Sequence, residues 1–244
     1  MAKKLRKINT NSRKKKKIFI FLIILIALGV LGYFGYTKYF KNNNKQKVTV
    51  KILDSIDKYG YSIDDRDSNL YKEEFNKLKE ILNAKEIDNK QYSEEVARLF
   101  VIDLYSINNK LNKYDIGGRS FYYTSKVGMY DNKVMDTLYA TVVDDSYGDR
   151  KQELPEVKSV ETISVKEDKY VFIENPVDNN CPDGYTKNNN NKCTKDEDLV
   201  YVIELKWDYV KDMGYDKEAS IVVVPDINNK WSVAEYKPKL GAFE

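Results

Sequence analysis

The sequence predicts an α+β protein: an N-terminal transmembrane helix, then about three helices packed on a curved antiparallel sheet of 4–6 strands. Three observations predict it. An uncharged apolar run, Ile18 to Tyr36, follows a basic leader. Between residues 64 and 142, apolar positions recur every three or four residues, the period of a helix face. From residue 157 onward the period falls to two, that of a strand.

The first element is the anchor. Its nineteen residues, at about 1.5 Å each, span the ~30 Å bilayer core. Ile18, Phe19, Leu22, Ile26, Val30, Tyr33 and Tyr36 are its expected lipid-facing residues, with Phe34, Tyr39 and Phe40 adding aromatic rings at the far end, where rings favour headgroups. The leader, residues 1–17, carries nine basic residues and no acid. Its last four, Lys14, Lys15, Lys16 and Lys17, set the topology by the positive-inside rule. The expectation is a single-pass protein of the cell membrane, N-terminus cytoplasmic and C-terminal domain extracytoplasmic. The competing reading is a cleaved signal peptide, with Ala27 and Gly29 as small residues before the cut, but the apolar run continues past them into bulky aromatics. Gly29, Gly32 and Gly35 recur every third residue, a poor match to the helix-dimer motif. The leader's lysines suit anionic lipid better than nucleic acid, because a span follows directly.

Charge supports export. All 38 acidic residues lie beyond residue 53, and from Lys41 onward 31 basic residues face those 38, a net of −7. That balance argues against a DNA-binding ectodomain. The chain has no histidine, which removes Ser-His-Asp and Cys-His triads and His-ligated zinc. No metal ligand set, cofactor motif or catalytic residue stands out. The lysine and asparagine bias is similar to that of proteins from AT-rich bacterial genomes.

Residues 37–47 form a polar spacer, and residues 48–240 the exported domain. Val48, Val50 and Ile52 alternate as in a strand, although Leu53 and Ile56 also suit a helix start; Tyr59-Gly60-Tyr61 is a break. The run Asp64–Asn69 is rich in helix-capping types. It fails as a calcium loop, because the glycine and the final glutamate of that motif are missing. Tyr71, Phe75, Leu78 and Leu82 line one face of a helix over residues 70–83. Ser93 is the expected cap of a second helix, with Glu94 and Glu95 in its first turn and Val96, Leu99, Phe100, Leu104, Ile107 and Leu111 as its stripe. Asp103 interrupts the stripe, as a half-exposed edge residue or a functional carboxylate. Gly117-Gly118 is the expected stop, and Phe121–Tyr123 a short extended piece. Asp131 opens a third helix carrying Val134, Leu138 and Val142.

Residues 157–165, 169–173, 199–210, 219–224 and 230–236 read as strands, with a turn at Asp226–Asn229. In the third of these, Leu199, Tyr201, Ile203, Leu205, Trp207 and Tyr209 share one parity and the other is mixed, as in a sheet covered on one side. Cys181 and Cys193 enclose eleven residues, and a disulfide is expected there in an oxidising compartment, clamping the loop 178–197. Closing so short a loop contributes about 3 kcal/mol on the chain-entropy model. Cys181-Pro182-Asp183-Gly184-Tyr185 resembles the last loop of epidermal-growth-factor-like modules, whose other four cysteines are absent.

Two helices, an extended piece after Gly117-Gly118, a third helix and consecutive strands together resemble the cone-shaped nuclear-transport-factor-2-like superfamily over Asp64–Lys237. The resemblance is one of element order, without a motif. It implies helices packed against a curved sheet, in a group holding enzymes, ligand pockets and membrane-tethered exported domains. Three functions follow as expectations. The first is a non-catalytic, membrane-tethered binding or scaffolding module of a bacterial cell envelope, with the lipid bilayer and a protein at the outer membrane face as partners. The second is a small-ligand pocket or histidine-free enzyme, pairing Asp103 with Tyr105, Tyr122 or Tyr123. The third is binding of cell-wall polymer through Tyr61, Tyr185, Tyr209, Tyr215 and Trp231.

Overall fold

The computed structural model describes residues 10–39 and 46–239, which fall in two units, 1–47 and 48–244. In the first unit, α1 (Thr10–Tyr39) is a single helix. Its stretch Phe19–Lys38 has a mean hydropathy of 2.4 and is wholly unburied, so length and composition suit a membrane crossing or a signal segment. Phe19, Leu22, Ile26, Val30, Tyr33 and Tyr36 are all exposed. So continuous an apolar surface needs a cover. Most of the leader and of the spacer lies outside the described residues, as do the side chains of Lys14, Lys15, Lys16, Lys17 and Ile18, which sit on the backbone of α1. The tail from Gly241 lies outside them too.

The second unit opens with a hairpin. Strand β1 (Ile52–Ile56) pairs antiparallel with β2 (Tyr61–Asp64). The strand therefore lies later than the Val48–Ile52 alternation suggested, because the Val48 N–H is taken by Ser146 O at 2.8 Å. Helix α2 (Asn69–Leu82) starts where the capping residues place it: Ser68 Oγ accepts from the Tyr71 N–H at 3.1 Å. Tyr71, Phe75 and Leu78 are buried.

Helix α3 (Asn89–Tyr105) corrects two expectations. Its cap is Asp88, whose Oδ1 accepts from the N–H groups of Lys90 and Gln91; Ser93 and Glu95 lie inside the helix and are buried. It also ends at Tyr105, well before Gly117, because the Ser106 backbone leaves the helical region and the Asn108 N–H turns to Pro155 O at 3.0 Å. Ile107 and Leu111 consequently lie beyond it. The helix is buried nearly all round, from Val96 to Leu104, since it lies between α2 and strands of the sheet. Helix α4 (Val127–Asp136) begins before Asp131, Leu138 falls in the turns after it and Val142 just beyond them.

The main sheet is β3 (Val157–Glu174), β4 (Thr186–Lys187), β5 (Cys193–Tyr209), β6 (Glu218–Pro225) and β7 (Trp231–Pro238). Its antiparallel order is β3-β5-β6-β7, with β4 beside the start of β5. The two strands expected at 157–165 and 169–173 are one, carried through by bulges. Tyr201, Ile203, Leu205, Trp207 and Tyr209 are buried as their shared parity requires. Leu199 is not, because the register shifts opposite Asp168–Tyr170. The other face is not bare either: Phe172, Val200, Val222, Val224 and Ala234 form a second cluster under Tyr123. Tyr122 and Tyr123 run beside β7, with the Tyr123 N–H on Val233 O at 2.9 Å. Asn228 and Asn229 make the last turn at φ 57° and 58°.

Candidate binding cleft

A cleft of about 610 Å³ opens between β2, the start of α2, the end of α3 and the segment 110–127. Between its lining residues Ile116 and Arg119 the chain makes a close approach of backbone to backbone. A Cβ at Gly117 would lie 2.0 Å from Asp103 O, and Gly118, at φ +74°, has Tyr130 Oη and the Phe100 ring within 3 Å of where its Cβ would be. Only glycine fits both demands. The pair found by sequence as a helix stop is thus a contact point.

Asp103, the residue that broke the apolar stripe, holds that contact. Its Oδ2 accepts the Gly118 N–H at 2.7 Å and its Oδ1 pairs with Lys110 Nζ. Lys110 is buried; burial alone would lower its pKa, but the adjacent Asp103 charge outweighs it and raises it. Asp115 is equally committed: Oδ2 accepts from both terminal nitrogens of Arg66 at 3.1 Å and from the Leu111 N–H at 2.8 Å. Asp64 takes the Arg66 N–H at 2.8 Å, and Arg119 pairs outward with Asp131 at 2.9 Å.

Two cleft residues are left over. Asp67 accepts the Asp64 N–H at 2.7 Å, yet among the described residues no cation pairs with it. Burial pushes its pKa up to about 6, the nearby charges of Asp103 and Asp64 adding to the rise while the Asp64 N–H and Lys110 oppose it. Lys230 donates to Ser120 O at 2.6 Å and lies 4.7 Å from the Tyr61 ring centroid, with no carboxylate in ion-pair range among the described residues. Burial lowers its pKa. Desolvated charges without partners are costly, and such groups gather where a ligand supplies the counter-charge.

Inside the core, tyrosine hydroxyls are tied into hydrogen bonds. Tyr105 donates to Asp216 Oδ2 at 3.0 Å and shares a 2.6 Å hydrogen bond with Tyr236, while Tyr209 donates to Asp216 O at 2.6 Å. Tyr105 is therefore tied to Asp216, not to Asp103. Tyr122 also lines the cleft, and Tyr123 packs on the opposite sheet face. Between α2 and α3, Glu74 and Glu95 flank Arg98. Burial and the neighbouring Glu74 carboxylate push Glu95 up, whereas Arg98 overcomes the burial of Glu74 and holds it low.

Cys181 and Cys193 are bonded, Cα atoms 5.4 Å apart, and close a loop that includes β4. Of the aromatics considered for sugar faces, Tyr61, Tyr209 and Trp231 are buried in the core and Tyr185 and Tyr215 are half-buried, so the five do not form one exposed platform. Among the described residues, no group of three or more Cys, Asp or Glu is placed to hold a metal ion. Sequence reasoning missed Lys110, Lys230 and Asp216 altogether. Asp67 was visible only as one member of a capping run. Comparison with known proteins finds no family model, curated protein or solved structure that matches the chain.

Proposed function

We propose that this chain is a membrane-tethered, extracytoplasmic binding module of a bacterial cell envelope, non-catalytic, working through the cleft beside Gly117-Gly118. The basic leader, the apolar span, the acidic domain and its disulfide support the tethered and exported placement. The element order supports the likeness to tethered cone-shaped domains, a likeness of fold that leaves function to the site. The observation that carries the binding role is the pair of charges in one cleft that have no ion-pair partner among the described residues, the Asp67 carboxylate and the Lys230 ammonium. The cleft's volume suits a small ligand. The ligand these charges fit carries an ammonium for Asp67 and an acid group for Lys230, as a free amino acid or short peptide does.

The test is a thermal-shift series on the full-length chain in detergent micelles. Unmodified dipeptides, their N-acetylated forms and their C-terminal amides are compared. The expected result is stabilisation by the unmodified peptides and loss of it on either modification. Asp67→Asn should erase the difference between free and acetylated peptides, and Lys230→Met the difference between acid and amide. No shift with any peptide, or the same discrimination in both variants, contradicts the reading.

A further inference from the structure

Strand β3 is the edge of the main sheet: it pairs with β5 on one side, and among the described residues no strand pairs with the other. At eighteen residues it is a long edge, and an open edge of that length invites another strand. Its first part is guarded, because Arg98 Nη1 donates to Val160 O at 3.2 Å and a bulge interrupts the strand at Ile163. Along the remainder, Ile163 to Ile173, no side chain from another element among the described residues covers the edge; the pairing with β5 shifts opposite Lys169, whose N–H donates to Asp168 Oδ1 at 2.8 Å.

That stretch has an internal symmetry. Its odd positions read Ile163, Val165, Glu167, Lys169, Val171, Ile173, the same apolar pattern in both directions with one acid and one base at the centre. Alternation puts residues of one parity on one face of a strand. Ile163, Val171 and Ile173 are 58%, 49% and 60% exposed, although isoleucine and valine at a sheet surface are ordinarily covered. Glu167 and Lys169 are exposed too, and among the described residues the ion-pair partner of Lys169 is the exposed Asp198.

We infer that β3 is a self-association edge: two copies of this chain pair antiparallel through residues 163–173 about a two-fold axis at Asp168. In that register Ile163 faces Ile173 of the second copy, Val165 faces Val171, and Glu167 faces Lys169, each contact occurring twice, as an isologous interface requires. Cross-strand pairs of these types are favourable. The two Asp168 side chains meet on the other face, each diagonal to Lys166 of the second copy, so the axis is the weakest point. A pairing shifted by two residues sets charge against apolar side chains. The register is therefore specified, which separates this edge from one that merely aggregates. Two copies anchored in one membrane share an orientation, which a two-fold axis along the membrane normal accommodates.

Charge reversal tests the pairing without touching the core. The full-length chain is co-expressed with two different tags, and co-purification in mild detergent is measured. Glu167→Lys alone, and Lys169→Glu alone, each set like charges opposite each other twice and should lower self-association about ten-fold or more. The double variant E167K/K169E should restore it, as should mixing the two single variants. Asp168→Cys should give an intermolecular disulfide under mild oxidation, and Glu161→Cys should not. The inference is overturned if the chain is monomeric, if both single variants associate as the parent does, or if the double variant stays as weak as the singles.

Discussion

Asp67 carries an ionisation penalty that the folded protein relieves only in part, through the Asp64 N–H and the charge of Lys110. Asp64 and Asp103 repel its charge, Lys110 is committed to Asp103, and burial withholds water. Its pKa of about 6 lies above the 3.8 of an ordinary aspartate. The folded state thus holds a proton that the unfolded state releases, and stability falls as pH rises from about 3.8 through about 6. Asp67→Asn removes that penalty. Unfolding followed by the fluorescence of Trp207 and Trp231, both within the domain, should show the variant about 1–2 kcal/mol more stable than the parent at pH 7.5, with the gap closing by pH 4. A parent whose stability is flat across that window would contradict the burial of this charge. Little of this was legible in sequence. Asp64–Asn69 identified a helix start correctly, since capping is local, and Ser68 does cap α2. That Asp67 faces a cleft depends on residues 103–124, which the chain brings in from far away.

At the level of elements, the period of apolar residues was a sound guide to type and a poor guide to ends. Helices α2, α3 and α4 and the late strands exist as their spacing indicates, but α3 starts at Asn89 and stops at Tyr105. Its ends are set by Asp88 and by the Asn108–Pro155 hydrogen bond, neither of which is a periodic signal. The sequence suggests two strands in place of β3 because the charged run Lys166–Asp168 separates its apolar positions. The cysteine loop was legible because two thiols at that spacing reach each other easily in a hairpin. Cys193 begins β5 and is fully buried, while most of residues 182–192 is exposed. Reduction should therefore act locally. Hydrogen exchange is expected to speed up across residues 175–192 with β6 and β7 unchanged, and the domain should lose up to about 3 kcal/mol. Protection lost throughout the sheet would mean the bridge holds more than its loop.

For the whole molecule, charge segregation is the strongest signal, and it was read without any structure. A leader with nine basic residues precedes an uncharged span, and all 38 acidic residues follow it. The span is one helix with its apolar side chains exposed, which water does not tolerate and lipid does. The domain's core is packed with aromatics, Phe100, Tyr105, Phe121 and Trp207 among them, and the two proposed binding surfaces, the cleft and the β3 edge, lie outside it. Neither surface could be located by period or composition, because each is assembled from separate parts of the chain or from an unsatisfied edge.

The tethered, exported placement is the claim on which the rest depends, and thiol labelling in intact cells tests it most directly. The Cys181–Cys193 bond is opened with a membrane-impermeant reductant and the thiols are then treated with an impermeant maleimide. A Ser12→Cys version in which Cys181 and Cys193 are serines reports on the leader. The account predicts labelling of Cys181 in intact cells, labelling of residue 12 only after lysis, and a membrane-bound chain of the full 28.5 kDa. Domain thiols reached only after lysis, or a shortened chain released from the membrane, would contradict it.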